Sequence, residues 1–381
     1  MSASYRMCIR CVMDTSVPDI EFDAGGICNY CKIYETRIQS ELISGEAAEQ
    51  RLNALAKNIK ARGAKNSYDC VIGVSGGVDS TYVAYLVKRK LGLRPFAIHL
   101  DNGWNSELAV NNIERTMKNL DIDLYTNVLD WDEFKDLQNS FLLSSVANCE
   151  IPTDHAIIAT LFKSAATKNI QYILSGDNIA TEAIMPKSWM YNARDLRLIR
   201  AIHHKFGTVK LRNFPTINLP QLFYYICLKK IKYVPILNLV RYVKSEAKQI
   251  LQDELGWRDY GGKHGESIYT RFFQSYILPK KFNIDKRIAH LSCLIMSGQI
   301  SRDEALTELE QPAFSSHEVE EDEVFVTKKL GFTIDAFEEI LKELPKSYTD
   351  YPNNSFIWLD SGKYLSGIKQ LIRRYAINYL D

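Results

Sequence analysis

Residues 69–91 narrow the possible folds more than any other part of the chain. Positions 69–74 form a short apolar run with strand character, Ser75-Gly76-Gly77-Val78-Asp79-Ser80 is a glycine turn, and 81–91 reads as a helix. A strand that ends in two glycines and opens into a helix lets an anion approach the backbone closely. It also points free N–H groups, at the positive end of the helix dipole, toward that anion. Ser75 and Ser80 add hydroxyl donors, so the turn suits a pyrophosphate. It lacks the Gly-Lys-Ser/Thr ending of a Walker loop and the glycine spacing of a dinucleotide fingerprint.

The alternation begun there continues. Strand character recurs at 95–100, 123–129 and 171–174, with helical patterns at 108–120, 131–146 and 154–168 between them. Strands alternating with helices predict an α/β fold with a doubly wound parallel sheet, whose ligands bind beyond the carboxyl ends of the strands. A chain of 381 residues has room for two to three structural units. Its 46% apolar and 24% charged content is that of an ordinary globular protein. The formal charge of +1 argues against a protein whose main task is to coat nucleic acid. The first residues carry no secretory signal. The richest apolar stretch, 219–243, is interrupted by Pro220, Pro235, Arg241 and three lysines, so no membrane span is expected and a cytoplasmic location is.

Of eight cysteines, four are gathered in the first 31 residues as two Cys-x-x-Cys pairs. Cys8-Ile9-Arg10-Cys11 is followed by sixteen residues and then Cys28-Asn29-Tyr30-Cys31, the knuckle spacing of a tetrahedral zinc site. Asp23-Ala24-Gly25-Gly26 supplies the turn between them. Four sulfur ligands leave no open position, so the ion is expected to be structural; a redox dithiol or an iron–sulfur centre is the alternative. A helical stretch over 32–64 follows. Farther on, 187–244 holds twelve Lys or Arg against one acid, Asp195, with aromatic residues interleaved, and 308–323 is acidic. His99, flanked by apolar strand residues, is read as a satisfied core histidine.

The Ser-Gly-Gly-Val-Asp-Ser loop resembles the signature of the N-type ATP pyrophosphatases, the PP-loop superfamily that includes GMP, asparagine and NAD synthetases and tRNA thiolation enzymes. The resemblance implies cleavage of ATP between its α and β phosphates, with Ser75, Gly76, Gly77, Val78, Asp79 and Ser80 holding the pyrophosphate. Ser175-Gly176-Asp177-Asn178-Ile179-Ala180-Thr181-Glu182 is similar to the NAD synthetase segment that ends in a magnesium-binding glutamate. By that similarity Asp79 and Glu182 are the magnesium candidates, with Gly176 and Asp177 beside the nucleotide. Asp79 also counts as a catalytic candidate. The strand end at Leu100 and Asp101 is expected to meet the adenosine.

The cysteine pairs, the loop and the late segment Gly261-Gly262-Lys263-His264-Gly265-Glu266-Ser267-Ile268-Tyr269-Thr270-Arg271 together resemble the N-acetyl sugar amidotransferases of bacterial surface-polysaccharide and flagellin glycan pathways. This family resemblance, over about residues 5–310, implies ATP, magnesium and structural zinc as cofactors and a nucleotide-activated N-acetyl sugar as substrate. It implies conversion of the acetamido group to acetamidino through an adenylylated imidate. Lys263, His264 and Arg271 are the candidate cations at the phosphates. Residue 2 is Ser and no Gly-x-Cys-x-Gly elbow is present, so no glutaminase is visible in the chain, and the family resemblance implies a separate glutaminase partner with an ammonia conduit.

A tRNA sulfurtransferase would use the same adenylylation on a base oxygen and would welcome the basic stretch, although Cys149, Cys227 and Cys293 stand far apart in sequence. A nucleotide-binding scaffold without turnover is a third reading. The expected organisation is a zinc ribbon at 1–34, a helical linker at 35–65, a PP-loop domain at 66–215, a substrate or partner part at 216–325 and a helical segment at 326–381.

Overall fold

The computed structural model describes residues 5–43, 45–261, 265–312 and 314–355. Five parallel strands form one sheet in the order β3-β2-β1-β4-β5. They are β1 (Cys70–Gly73), β2 (Pro95–Asp101), β3 (Asp123–Val128), β4 (Tyr172–Ser175) and β5 (Lys232–Pro235). The chain runs outward from β1 to β3, then returns across β1 to lay down β4 and β5 on its other side. That reversal puts the topological switch point between β1 and β4, where open α/β sheets bind their ligands.

Side chains that alternate along a strand fall on opposite faces. Ile72 joins one buried cluster and Val71 the other, so β1 is apolar throughout. Sixteen helices follow the chain among the described residues. Around the first half of the sheet run α1 (Asn29–Glu41), α2 (Gly45–Gly63), α3 (Val78–Tyr85), α4 (Glu107–Leu120), α5 (Trp131–Ser144) and α6 (Ile151–Thr167). After β4 come α7 (Ile179–Glu182), α8 (Leu196–Phe206), α9 (Leu219–Phe223) and α10 (Lys244–Leu255). The remainder is helical: α11 (Ile268–Phe272), α12 (Leu278–Phe282), α13 (Lys286–Met296), α14 (Arg302–Glu310), α15 (Ser316–Leu330) and α16 (Ile334–Lys342).

Helices α2, α3, α4 and α10 cover one face of the sheet with Leu55, Val83, Met117 and Leu251. The other face is covered by α6 and α9, with Phe162 and Leu222. A third apolar cluster lies off the sheet. It joins Trp104, Leu129 and Ile179, each just past a strand's carboxyl end, to the four paired cysteines, α5, α8 and the carboxy-terminal helices. This cluster roofs the edge of the sheet where ligands bind.

Two expected boundaries move. The sheet does not end at 215: β5 pairs with β4 over Tyr172–Ser175 and Lys232–Pro235, and α10 packs on α3 and α4. Nor does the cysteine segment stand apart, because its thiols share the roof cluster with α13. No helix of the described residues is long and apolar enough to cross a membrane.

Candidate active site

The glycine turn lies at the carboxyl end of β1, beside the switch point. Val74 N–H donates to Ile98 O at 2.9 Å, and His99 Nδ1 bonds to Val74 O at 2.9 Å, so β2 fixes the end of β1. The second nitrogen of His99 faces Asn105 Nδ2 at 3.0 Å, and the histidine is satisfied as the sequence reading held. Gly76 sits at φ +85°, in the left-handed region. A Cβ there would lie 2.8 Å from Ala109 O and 3.0 Å from the Tyr260 hydroxyl, so both torsion and space require glycine. Ser75 and Ser80 bond through their hydroxyls at 3.0 Å, and Ser80 Oγ also accepts from Ser75 N–H at 3.1 Å. Ser75 is exposed, and Gly77 caps α3 in extended conformation, which leaves the first N–H groups of that helix toward the crevice.

The second loop abuts the first. A Cβ on Gly176 would meet the carbonyl carbon of Asp79 at 3.0 Å and its Cβ at 3.2 Å. Asn178 caps α7 by accepting from Thr181 N–H at 2.9 Å, and Asn238 Oδ1 accepts from Ile179 N–H at 2.9 Å. Glu182, exposed, closes the four-residue α7. Between the two magnesium candidates stands Tyr242, whose hydroxyl donates to Asp79 Oδ1. Burial first, and then the negative charges of Asp79 and Glu182, hold the Tyr242 phenol far above its ordinary value, so it remains a proton donor. The carboxylate of Asp177 is already occupied: Ser175 Oγ donates to it at 3.1 Å and the Tyr233 hydroxyl at 2.7 Å.

Asp101 closes a turn rather than reaching outward. Its Oδ1 accepts from Gly103 N–H at 2.9 Å and from Asn105 Nδ2 at 3.2 Å, while Leu100 is partly buried against the roof cluster.

The late segment reaches the loop from above. Ser106 N–H donates to Glu266 O at 2.9 Å, Ile268 N–H to Trp104 O at 2.9 Å and Ser106 Oγ to Gly265 O at 2.9 Å. The Glu266 carboxylate consequently lies over the turn, 3.7 Å from where a Cβ on Gly77 would be. Trp257 Nε1 donates to Gly76 O at 2.8 Å and the Tyr260 hydroxyl donates to the same oxygen. Lys263 and His264 lie outside the described residues. The expectation for Arg271 is corrected: its guanidinium forms a bidentate pair with Asp322 on α15, Nε to Oδ2 at 2.8 Å and Nη2 to Oδ1 at 2.6 Å. A fork that meets a buried carboxylate in this way ties α11 to α15, and its donors are engaged there.

Tyr242, Trp257 and Tyr260 escaped the sequence reading because they follow no motif, and Tyr242 was counted only as one aromatic of a basic stretch. Within that stretch Trp189, Tyr191, Phe214 and Tyr242 are buried, while most of its Lys and Arg residues are exposed. Its loop at 207–214 is held from α5, where the buried Glu133 accepts from the N–H groups of Arg212, Asn213 and Phe214.

All four paired cysteines are buried, and their sulfurs lie within 4.8 Å of one another. Cys8 and Cys31 are 3.8 Å apart, Cys11 and Cys28 3.6 Å, and Cys28 and Cys31 3.7 Å. Tetrahedral zinc with bonds of about 2.3 Å needs edges of about 3.8 Å, so the cluster is compatible with zinc. N–H groups of Arg10 and Cys28 point at Cys8 Sγ, and that of Met13 at Cys11 Sγ, the donors that thiolates require. Arg302 braces both turns by donating to Cys11 O and Cys8 O, each at 3.1 Å.

An anion turn closing β1 at the switch point, with a second loop packed on its first acidic residue, is the arrangement of a PP-loop, ATP-utilising enzyme domain. Comparison with known proteins agrees. Residues 47–141 match the family model described as NAD synthase, and residues 266–364 match that described as the LPS biosynthesis protein WbpG-like, C-terminal domain. The chain thus carries a segment similar to the PP-loop domain of NAD synthases and one similar to the carboxy-terminal domain of WbpG-like lipopolysaccharide-biosynthesis proteins. An uncharacterised protein of Methanocaldococcus jannaschii is 22% identical over 274 residues, 70% of this chain and 80% of its own length. The glutamine-hydrolysing GMP synthase of Pyrobaculum aerophilum is 29% identical over 136 residues, 34% of this chain and 25% of its own. Among solved structures, the NH3-dependent NAD synthetase of Campylobacter jejuni in complex with nitrate covers 71% of this chain and 99% of itself, at 15% identity and a TM-score of 0.33. The NMN synthetase of Francisella tularensis covers 76% and 98%, at 15% identity and 0.30.

Proposed function

We propose that the enzyme converts the acetamido group of a nucleotide-activated N-acetyl sugar to acetamidino, at the expense of ATP cleaved to AMP and pyrophosphate. The observation that carries this reading is the pairing of 265–268, the start of the WbpG-like domain, with 104–106 directly over the PP-loop. A domain specific to surface-glycan proteins thereby roofs the phosphate site, where an acceptor has to lie.

An amide oxygen is a very poor leaving group, and adenylylation makes it a good one. The acetamido oxygen attacks the α-phosphorus, pyrophosphate departs into the turn at 75–80, and ammonia adds to the activated carbon before AMP leaves. Backbone N–H groups at the start of α3 and the hydroxyls of Ser75 and Ser80 are placed to receive the departing charge. Asp79 and Glu182 are an all-oxygen donor set of the kind that suits magnesium, and they would hold it at the phosphates, where it would neutralise charge. In the same reading the four cysteines hold a structural zinc, and ammonia comes from a separate glutaminase subunit. In this reading Lys263 and His264 would supply cations for the phosphates.

Thiolation of tRNA is less well supported. Of the nine aromatic residues of 187–244 that would stack on bases, Trp189, Tyr191, Phe214 and Tyr242 are buried, and only Phe223 and Tyr224 are exposed, at 48% and 43%. The deciding experiment supplies purified protein with ATP, magnesium and ammonium chloride and compares a panel of nucleotide-linked acetamido sugars with bulk tRNA. Pyrophosphate release that depends on sugar, with a product one mass unit lighter, is the expected result. Release with tRNA alone would overturn it.

A further inference from the structure

The edge of the sheet opposite the crevice is basic. α6 ends at Thr167, the chain turns at Lys168 and Asn169, and β4 begins at Tyr172. The helical course of α9 continues through 224–228, the chain turns at Lys229 and Lys230, and β5 begins at Lys232. Parallel pairing of Tyr172 with Lys232 sets the two turns side by side, and Lys232 N–H donates to Gln171 O at 2.8 Å. The end of α2 joins them: Arg62 Nη1 donates to Gln171 Oε1 at 2.8 Å and Asn66 Nδ2 to Asn169 O at 3.0 Å. Arg62, Lys65, Lys168, Lys229, Lys230 and Lys232 therefore gather where β4 and β5 begin, the last two turns of chain before β1 included. Arg62, Lys65, Lys168 and Lys230 are exposed, and the other two are half-buried. Carboxylates that border this edge are engaged elsewhere: Asp69 is buried and pairs with Arg94 at 2.6 Å, and Asp123 accepts from the Tyr68 hydroxyl at 2.7 Å. The stretches 155–176 and 196–245, which build most of α6, all of α9 and both turns, contain no Asp or Glu.

Three large apolar side chains face outward beside these cations. Leu228 is 67% exposed, Phe223 48% and Tyr224 43%. Residues four apart share a helix face, so Tyr224 and Leu228 stand in line with Phe223 beside them, while Leu222 and Ile226 turn inward onto the sheet. Leu228 runs directly into Lys229 and Lys230. A lysine in the last turn complements the dipole of its own helix, which accounts for one cation per helix but not for the apolar residues among them.

We infer that this edge docks on a membrane surface rich in anionic lipid, with Phe223, Tyr224 and Leu228 entering the headgroup layer and the lysines meeting lipid phosphates. Apolar residues rimmed by uncompensated cations match such a surface in both polarity and charge. Long lysine stems lie along apolar surface and still carry their charge to the phosphates. Leu228, the most exposed of the three, has no ring to stack on a base. Five of the six cations are Lys, whose compact ammonium lacks the planar fork that suits nucleic acid. A peripheral contact of this kind needs no spanning helix. It leaves the crevice, at the carboxyl ends of the strands, facing away from the membrane and open to substrates in water. The inference is independent of the amidotransfer reading.

The full-length protein is sedimented with vesicles of equal parts phosphatidylglycerol and phosphatidylethanolamine, and with vesicles of phosphatidylcholine. Binding is expected to the first and not to the second, with release by molar salt. The double variant Lys229→Gln/Lys230→Gln is expected to bind about 25-fold more weakly, at about fivefold per lysine. Leu228→Ser is expected to lose about tenfold or more. Leu344→Ser, at a leucine 80% exposed beyond α16, is the control and is expected to bind as wild type does. Thermal unfolding checks that each variant keeps the wild-type fold. Equal sedimentation with both kinds of vesicle, or binding unchanged in either patch variant, would overturn the inference. So would bulk RNA that binds through Lys229 and Lys230 and displaces the protein from the vesicles, because the patch would then be a nucleic-acid surface.

Discussion

Replacing Gly176 by alanine tests whether the two loops form one site. The added methyl would lie 3.0 Å from the Asp79 carbonyl carbon, 3.2 Å from its Cβ and 3.2 Å from its oxygen. Carbon contacts are optimal at about 3.5–4.0 Å, so the loops must part by about half an ångström. Backbone at the first turn of a helix gives little, and overpacking of this kind costs about 1–3 kcal/mol. Catalysis is expected to suffer in proportion to the displacement of Asp79. If 1 Å of misplacement costs about 100-fold, half of that costs about tenfold. Pyrophosphate release would be measured against magnesium concentration, with thermal unfolding in parallel. The expected result is a tenfold slower reaction, a raised magnesium requirement and a melting point a few degrees lower. Gly73→Ala is the control, since its methyl would meet only Leu161 at an ordinary 3.6 Å. Unchanged rate and stability in Gly176→Ala would refute the contact between the loops and the magnesium assignment built on it.

Stripping the cysteine cluster with a chelator is expected to lower the stability of the whole protein rather than that of a detached ribbon, because the thiols are packed in the same cluster as α13; circular dichroism melts before and after removal check this. His155 donates from Nδ1 to Ala193 O and accepts at Nε2 from Ile217 N–H, and burial lowers it to about 4. The unfolded chain therefore binds the extra proton as pH falls from about 6.5 to about 4, and about 3 kcal/mol of stability is lost across that window. Urea unfolding of wild type and His155→Gln at several pH values is expected to show a smaller acid loss in the variant. Arg271→Met is expected to cost about 3 kcal/mol by leaving Asp322 buried and unpaired, with the KM for ATP unchanged. A large rise in that KM would restore Arg271 to the phosphate site.

Much of the architecture was legible in order along the chain. Four of the five strands were legible as short strand-like runs between helical periods, and the turn at 75–80 stood out because few backbone shapes other than an anion cradle need two glycines between a strand and a helix. The cysteine spacing likewise fixed a tetrahedral sulfur cluster. These are local signals, set by torsion, period and the reach of neighbouring side chains. β5 was missed because four residues inside a basic, aromatic stretch carry no period of their own, and pairing with β4 makes them a strand.

What only the tertiary structure decided is who meets whom. Arg271 looked available for phosphate until Asp322, 51 residues later, supplied a carboxylate at hydrogen-bond distance. Tyr242 became a partner of Asp79 across 163 residues, and Lys286 came to Glu150 from a separate helix. Such contacts depend on long-range closure and on the burial that changes a charge's energy. Neither is written in the spacing of residues along the chain, so the sequence by itself determined the phosphate loop and the cysteine cluster, while folding chose the residues that surround them.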